Sequence, residues 1–429
     1  MKKLLFILAL ILSLPQVYAQ AAEPGIYRIA LSKFTLYYNR NQPDSIFNMF
    51  AADVKKDLPM LKNREMISEL QVRSGRLQRA TFTTLNEGIA IYRADFQRAV
   101  LSMQISINGA GKIGGLLFDN YRGQNMVKPV DDPYTTETPL ELKTLSGAIR
   151  GTLAMPKQAS GKVPVVLIIP SSGPTDRDGN KPKLNQQPDT YKLIAFALAK
   201  NGIASLRYDK RLTGEVITPA KETQLRFDDY IDDAVMLAGA LREDERFSKV
   251  VLLGHSEGSL VGMLAAVSQP VNGFISVEGE SLPGDKLMSE QLKNQPDYIT
   301  KGFKQITDSL RRGKTYDKVD PSLYSIARVS VQPYLMTWMR FDPVKEIKKV
   351  KAPTLIIQGT TDLQVSAADA ERLKKGKSDA KVVMIPGMNY VLKEAPAAQA
   401  ANLATYNQSA LPVKPELVSA ITDFVKSIK

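Results

Sequence analysis

Apolar positions near the start of the chain recur at helical spacing. Helices are predicted over residues 26–38 and 46–58, because apolar side chains three and four positions apart share one helix face. Asp44 or Ser45 is expected to cap the second helix, and Pro59 is expected to end it.

Alternation replaces helical spacing further along. Apolar and polar residues alternate over 101–107, which is the period of a strand. A turn at 108–111 and a partner strand over 112–118 complete a hairpin. Helices followed by antiparallel strands predict a small α+β accessory domain over residues 20–125.

The remainder of the chain alternates apolar strands with amphipathic helices. Strands are predicted at 145–155, 163–169, 203–208, 249–253, 271–277, 354–357 and 381–385, with helices at 190–200, 227–241 and the C-terminus. This order predicts an α/β domain with a mainly parallel sheet over residues 138–429. A polar, proline-containing stretch over 126–137 is expected to be a linker.

Composition limits the available chemistry. Hydrophobic residues make up 44% and charged residues 24% of the 429 residues, which is typical of a globular protein. The absence of cysteine excludes disulfides, thiolate metal sites and a cysteine nucleophile. A single histidine, His255, excludes a multi-histidine metal site and allows at most one histidine base. We expect neither a metal nor an organic cofactor.

The N-terminus has the pattern of a secretory signal peptide. Lys2 and Lys3 precede an apolar run over 4–14, and Val17 and Ala19 form a Val-x-Ala cleavage site. This run is shorter than the roughly 20 residues of a membrane-spanning helix. We therefore expect cleavage after Ala19, with export to the periplasm or medium and no stable membrane insertion.

The chain is basic, but its basic residues are dispersed. The formal charge of +13 becomes +11 when Lys2 and Lys3 are removed. Lysines and arginines occur singly or in pairs, whereas a nucleic-acid interface requires a basic cluster. No nucleic-acid partner is expected.

One motif points to nucleophilic catalysis. Gly-His-Ser-Glu-Gly at 254–258 lies between a strand and an apolar helix, the context in which G-x-S-x-G forms a strained turn that exposes its serine. Ser256 is the predicted nucleophile, and the backbone N–H of Glu257 is a predicted oxyanion donor.

Two further loops follow predicted strands. The loop at 170–180 is expected to supply a second oxyanion donor, from Ser172 or Gly173. Asp362 follows the strand at 354–357 and is the favoured carboxylate of a catalytic triad, with Glu278 as the alternative.

Four segments together resemble the α/β-hydrolases, in the branch that is similar to serine aminopeptidases and acyl-peptide esterases. They lie at 172–180, 207–211, 254–258 and 358–362. The resemblance implies an α/β-hydrolase fold that hydrolyses carboxylic esters or acyl-peptide bonds of a small-molecule substrate. Separately, Gly88, Tyr92, Phe96 and the segment 111–118 resemble a nuclear-transport-factor-like domain.

The more serious of two departures from this family concerns a histidine; the milder one is Arg211-Leu-Thr-Gly214, where the family has an Arg-Gly-x-Gly turn. The related segment has a histidine where Gly387-Met-Asn-Tyr-Val-Leu-Lys has Tyr390. Tyrosine, with a pKa near 10, is a poor base at pH 7. His255 is expected to be a packed neighbour of the nucleophile. Two hypotheses remain: a serine hydrolase with Ser256, Asp362 and Tyr390 at its site, or a silenced hydrolase that binds a ligand or partner.

Residues 280–345 interrupt the strand pattern with apolar and aromatic residues. An insertion at this place resembles a cap over the site. The alternative is a set of extra helices packed on the core.

Overall fold

The computed structural model describes residues 23–86, 88–120, 132–144, 147–181, 184, 186–213 and 219–428. The chain divides into two compact units, Met1–Val127 and Lys128–Lys429. The predicted signal peptide over 1–19 lies outside the described residues. No helix in the described ranges combines the length and hydropathy needed to cross a bilayer.

In the described residues of the first unit, four helices are followed by four strands. The helices are α1 (Gly25–Asn39), α2 (Pro43–Met49), α3 (Ala52–Asp57) and α4 (Met60–Ser74). The strands are β1 (Leu77–Asn86), β2 (Ile89–Phe96), β3 (Val100–Ile107) and β4 (Ile113–Asn120). They form an antiparallel sheet in the order β1-β2-β3-β4. Its nuclear-transport-factor-like character stays a prediction.

The prediction of one continuous helix over 46–58 is wrong, because two separate helices occupy this stretch. Phe50 and Ala51 are extended, and the Ala51 N–H donates to the carbonyl of Ile113 on β4 at 2.9 Å. The N-cap of α2 is Gln42, so neither Asp44 nor Ser45 occupies that position. Pro59 follows α3 and directly precedes α4, a helix that the sequence pattern missed.

The second unit is built on an eight-stranded sheet in the order β12-β11-β10-β9-β7-β8-β6-β5. Its strands are β5 (Thr135–Thr144), β6 (Gly147–Pro156), β7 (Val163–Ile169), β8 (Ala204–Tyr208), β9 (Phe247–His255), β10 (Gly273–Val277), β11 (Thr354–Gly359) and β12 (Lys381–Ile385). The β5–β6 and β6–β8 pairs are antiparallel, and every other neighbouring pair is parallel. The predicted mainly parallel α/β sheet is confirmed.

Strand β5 begins at Thr135, inside the stretch expected to be a linker. It pairs with β6 from Thr135 opposite Pro156 to Thr144 opposite Gly147. As the edge strand of the sheet it leaves many side chains exposed. It therefore lacks the apolar run that marks a buried strand.

Helices cover both faces of this sheet. Outside residues 280–349, the helices in the described part of this unit are α5 (Thr190–Lys200), α6 (Pro219–Gln224), α7 (Phe227–Glu243), α8 (Glu257–Ser268), α14 (Ala367–Gly376), α15 (Gln399–Ala404) and α16 (Pro415–Ser427). One core cluster contains Phe227 of α7 and Leu260 of α8, and the other contains Ile194 of α5 and Leu417 of α16. The carboxyl ends of the parallel strands lie along one edge, where α/β proteins bind ligands.

Residues 280–345 form helices between β10 and β11. They are α9 (Gly284–Gln291), α10 (Asp297–Arg311), α11 (Tyr324–Ala327), α12 (Gln332–Trp338) and the start of α13 (Pro343–Lys349). Phe303 and Leu335 are buried in the cluster that contains Phe227 and Leu260. These helices therefore pack on the core, and their action as a cap stays a prediction.

Candidate active site

Ser256 occupies a strained turn between β9 and α8. Its φ of 56° and ψ of −121° lie in a region that residues other than glycine rarely adopt. The Ser256 N–H donates to the carbonyl of Val277 at 3.0 Å, which ties the turn to the end of β10. The serine is therefore held by the sheet rather than by a free loop.

The two glycines of the motif are required sterically. A Cβ at Gly254 would lie 2.1 Å from the carbonyl oxygen of Gly258. A Cβ at Gly258 would lie 2.4 Å from the carbonyl oxygen of Ile169 and 2.5 Å from that of Pro170. Since these contacts involve backbone atoms, no side chain at either position fits without moving the strands.

The residues predicted to supply oxyanion donors lie at the start of α8 and on the loop after β7. Glu257 is the first residue of α8, so its N–H has no partner within the helix. Ser172 and Gly173, the latter with a φ of 74°, lie on the loop after β7, and their role as oxyanion donors stays a prediction. The N–H of Ser171 is already bound, because it donates to the Tyr191 hydroxyl at 2.9 Å.

The Glu257 side chain forms a buried ion pair that the sequence did not predict. Its carboxylate accepts from Lys210 Nζ at 2.6 Å and from the Tyr334 hydroxyl at 2.5 Å. Lys210 Nζ also donates to the carbonyl of Ser171 at 3.0 Å and lies 4.1 Å from the ring centre of Tyr230. Burial lowers the pKa of Lys210, and the Glu257 charge partly opposes this shift.

The loop over 172–180 is anchored by the segment over 207–211. The Arg177 guanidinium donates to both carboxylate oxygens of Asp209 and to the carbonyl of Gly151. Backbone N–H groups of Asp178 and Asn180 donate to the Asp176 carboxylate at 3.0 and 2.7 Å. These contacts fix the loop that carries Ser172 and Gly173.

His255 is hydrogen-bonded to Tyr191. Its Nδ1 lies 2.8 Å from the Tyr191 hydroxyl, which already accepts the Ser171 N–H and therefore donates its own proton to Nδ1. The imidazole proton is then on Nε2, which is buried without a hydrogen-bond partner. Burial lowers the pKa of His255 to about 3, so the ring is a neutral packed group.

Tyr390 lies in the position that the resemblance assigns to a histidine. Its buried ring is 4.9 Å from that of His255, centre to centre, and Lys181 Nζ lies 5.3 Å from its ring centre. Burial raises the pKa of Tyr390 to about 12, although the neighbouring side chains of Ser256 and Ser171 lower it. The phenol is therefore protonated at neutral pH and does not accept a proton there.

Asp362 and Glu278 form a pair of neighbouring carboxyl groups. Oδ1 of Asp362 accepts from the N–H of Gln364 at 2.6 Å, and the Asp362 carboxylate is also hydrogen-bonded to the carboxyl group of Glu278. Burial raises the pKa of Asp362 to about 6. Burial and the Asp362 charge raise the pKa of Glu278 well above its usual range, and Glu278 accepts from the N–H of Gly359 at 2.8 Å. Among the described residues, no hydrogen bond joins Asp362 to Tyr390.

Glu280 is the site residue that sequence reasoning missed. Its Oε1 accepts a hydrogen bond from Ser256 Oγ at 2.9 Å. Burial and the charge of Glu257 raise the pKa of Glu280 to about 8. The sequence feature that points to Glu280 is the pair of acids in Val277-Glu-Gly-Glu, directly after a strand. The sequence prediction named only Glu278 of this pair as an alternative site residue.

A family model supports the assignment of this fold. Residues 184–279 match the family described as serine aminopeptidase, S33, a span that includes the Ser256 turn. The chain has the α/β-hydrolase fold. The chain is 26% identical over 302 residues to esterase EstD from Thermotoga maritima, covering 69% of this chain and 70% of that protein. It is 27% identical to 2-(acetamidomethylene)succinate hydrolase from Mesorhizobium japonicum over 232 residues, covering 49% of this chain and 75% of that protein.

Solved structures similar to this chain include two esterases. Est1E from Butyrivibrio proteoclasticus has a TM-score of 0.42 and 16% identity, covering 66% of this chain and 98% of that chain. The Pyrococcus furiosus esterase Pf2001 has a TM-score of 0.45 and 15% identity, covering 72% of this chain and 97% of that chain.

Proposed function

We propose that this α/β-hydrolase is a serine hydrolase that cleaves carboxylic esters of small molecules. The observation that carries the proposal is the strained conformation of Ser256 at the N-terminus of α8, beside the free N–H of Glu257. Strain of this kind persists where the surrounding structure maintains it, and it is concentrated at functional sites. The sequence relative from Thermotoga maritima is named an esterase.

In the proposed reaction, Ser256 Oγ attacks the ester carbonyl and forms a tetrahedral intermediate. The N–H of Glu257 and that of Ser172 or Gly173 stabilise the negative charge on its oxygen. Departure of the alcohol leaves an acyl group on Ser256, which water then removes.

The side chains around Ser256 favour a partly apolar substrate. Tyr334 and Trp338 of α12 are buried, stack with ring centres 6.2 Å apart, and reach the site through the Tyr334 contact with Glu257. Tyr390, whose hydroxyl stays protonated, would donate a hydrogen bond to bound substrate. Asp362 would influence the reaction electrostatically, from its position beside Glu278.

Turnover of p-nitrophenyl esters of increasing acyl length, with acyl-peptide substrates in parallel, tests this proposal. Wild-type protein should hydrolyse at least the short esters and accumulate one acyl group, measured by intact mass, whereas Ser256→Ala should do neither. Fluorophosphonate labelling should likewise depend on Ser256. Binding of esters without turnover, or labelling that persists in Ser256→Ala, would favour the silenced hydrolase.

Export belongs to the same proposal, on the basis of the signal-peptide pattern over 1–19. Expression in a bacterium should yield periplasmic or secreted protein whose N-terminal residue is Gln20. Recovery of protein with an intact N-terminus from the cytoplasmic fraction would contradict export and would not affect the hydrolase proposal.

A further inference from the structure

We propose that Glu280 is the catalytic base of this enzyme: its carboxylate takes the proton of Ser256 and returns it to the leaving group. This inference rests on the proposed ester hydrolysis, because it assigns the proton transfer within that reaction. It gives Glu280 the role that a histidine has in a Ser-His-Asp triad.

The contact is direct. Ser256 Oγ donates to Glu280 Oε1 at 2.9 Å, within the distance that a general base requires. Both side chains are buried: Ser256 is 2% exposed and Glu280 is 7% exposed. A buried carboxylate that already accepts the nucleophile's proton in a hydrogen bond needs no further movement to begin the reaction.

The sheet fixes this geometry. Ser256 follows β9, Glu280 follows the neighbouring parallel strand β10, and the Ser256 N–H bond to Val277 joins the two strand ends. After β10 the chain makes a tight turn before Glu280, in which Glu278 has a φ of 48°. A Cβ at Gly279 would lie 2.1 Å from Ser276 Oγ and 2.7 Å from Ser259 Oγ. The turn that directs Glu280 at the serine is therefore packed against β10 and α8.

The other titratable groups nearby are unsuited to the task. His255 is neutral and bound to Tyr191. Tyr390 holds its proton at neutral pH. In the described part of the chain, no hydrogen bond joins Lys181 to Ser256.

The surroundings of Glu280 strengthen it as a base. Burial, together with the charges of Glu257 on α8 and Asp369 on α14, raises the pKa of Glu280 to about 8, while Ser256 and Lys210 lower it. Lys181, Tyr334 and Tyr390 also face this carboxyl. General-base catalysis is most efficient when the pKa of the base lies near the working pH, so this shift favours catalysis.

In each half of the reaction, Glu280 receives one proton and then gives it up. As the bond from Ser256 Oγ to the acyl carbon forms, the Oγ proton moves to the carboxylate and the carbonyl electron pair moves to oxygen. When the oxyanion collapses, the bond to the alcohol oxygen breaks, and that oxygen takes the proton from Glu280. Water then attacks the acyl-enzyme and gives a proton to Glu280, which returns it to Ser256 as the acid leaves.

The test compares kcat/KM of purified full-length variants from pH 6 to 9, with Ser256→Ala as the background. Glutamine keeps the shape of Glu280 but cannot take a proton. We therefore expect Glu280→Gln to lose about 10²- to 10⁴-fold in kcat/KM. Glu280→Asp should retain part of the activity. Glu346→Gln, which removes a buried carboxylate paired with Lys349 on α13, controls for general effects and should stay close to wild type.

The pH profile identifies the group. A base acts in its ionised form, so wild-type kcat/KM should rise with pH and reach half its maximum near pH 8. This limb should disappear in Glu280→Gln. The pKa of Lys181 is also lowered to about 8, so Lys181→Met is needed as a comparison. The Lys181→Met variant should keep the rise of kcat/KM with pH, with its midpoint at higher pH. The reason is that the positive charge of Lys181 stabilises the ionised form of Glu280.

The outcomes separate the two proposals. Loss of turnover in Ser256→Ala with an unchanged rate and pH limb in Glu280→Gln overturns the role of Glu280 and leaves the esterase standing. A limb that vanishes in Lys181→Met but persists in Glu280→Gln overturns it equally. Turnover that is unaffected in Ser256→Ala overturns the proposed function itself.

Discussion

Nζ of Lys210 lies 2.6 Å from Oε1 of Glu257, and both side chains are buried. Lys210 follows β8, Glu257 begins α8, and the bond from Lys210 to the carbonyl of Ser171 adds the loop after β7. One ammonium group thus holds together the two backbone segments that carry the proposed oxyanion donors.

Replacing this lysine should be strongly destabilising. Lys210→Met leaves the Glu257 carboxylate buried without its counter-charge, which costs about 3–5 kcal/mol of unfolding free energy. Thermal or urea unfolding measures this loss. Adding Glu257→Gln to Lys210→Met should recover part of it, because the buried charge is then gone. A double variant as unstable as Lys210→Met would show that lost packing dominates.

Alanine at Gly254 should prevent the turn at Ser256 from forming. Its Cβ would lie 2.1 Å from the Gly258 carbonyl oxygen, so β9 and α8 would have to separate. We expect loss of soluble protein, or a large drop in melting temperature together with loss of ester turnover. Gly109→Ala is the control, since a Cβ there meets no atom within 4 Å. A stable, active Gly254→Ala variant would contradict the steric argument.

The single histidine should not titrate in the physiological range. Burial lowers the pKa of His255 to about 3, from an ordinary value of 6.5, so its NMR signals should be constant between pH 5 and 8. Only the unfolded chain then takes up a proton as the pH falls from 6.5 towards 3, and the fold loses stability over this interval. His255→Gln should lose less stability there. An imidazole that titrates near pH 6.5 would contradict its neutral, packed role.

Glu280 should make stability depend on pH in the opposite direction. Its pKa is about 8 in the folded protein, against 4.5 for an ordinary glutamate. The unfolded chain therefore binds fewer protons between these values, and the stability that the buried neutral carboxyl contributes is lost as pH rises to 8. The melting temperature of Glu280→Gln, relative to wild type, should increase from pH 4.5 to 8 and then level off. A constant difference would indicate an ordinary pKa for Glu280.

A histidine at position 390 should substitute for the missing glutamate. In Glu280→Gln/Tyr390→His, an imidazole would occupy the position that the resemblance assigns to a histidine, with the Asp362 carboxylate as its expected acceptor. We expect kcat/KM to rise about 10²- to 10⁴-fold over Glu280→Gln, with a new limb near pH 6.5.

Two comparisons test this last prediction further. Glu280→Gln/Tyr390→Phe keeps an aromatic ring that cannot act as a base, so its kcat/KM should not exceed that of Glu280→Gln. If the double variant with histidine also remains inactive while folded, the Asp362 carboxyl is too distant to orient the imidazole.

Periodicity predicted the second unit better than the first. The strand at Val163–Ile169 and the helix at Thr190–Lys200 were predicted at their observed bounds, since buried parallel strands and amphipathic helices have clear apolar patterns. The break at Phe50 was missed because it depends on a hydrogen bond to Ile113, far along the chain. Strand β5 was missed because its polar residues are stabilised by pairing with β6.

The sequence by itself determined the turn at Ser256, because G-x-S-x-G between a strand and a helix is a local steric pattern. It also determined that neither a cysteine nor a second histidine takes part, and the resemblance predicted Tyr390 at the place of a histidine. Only the tertiary structure decided which group faces the Ser256 hydroxyl. Glu280 is 24 residues away in sequence and reaches 2.9 Å because β9 and β10 are neighbours in the sheet. Its raised pKa likewise comes from burial and from Glu257 and Asp369, which lie on other elements, and such an environment exists only after the chain has folded.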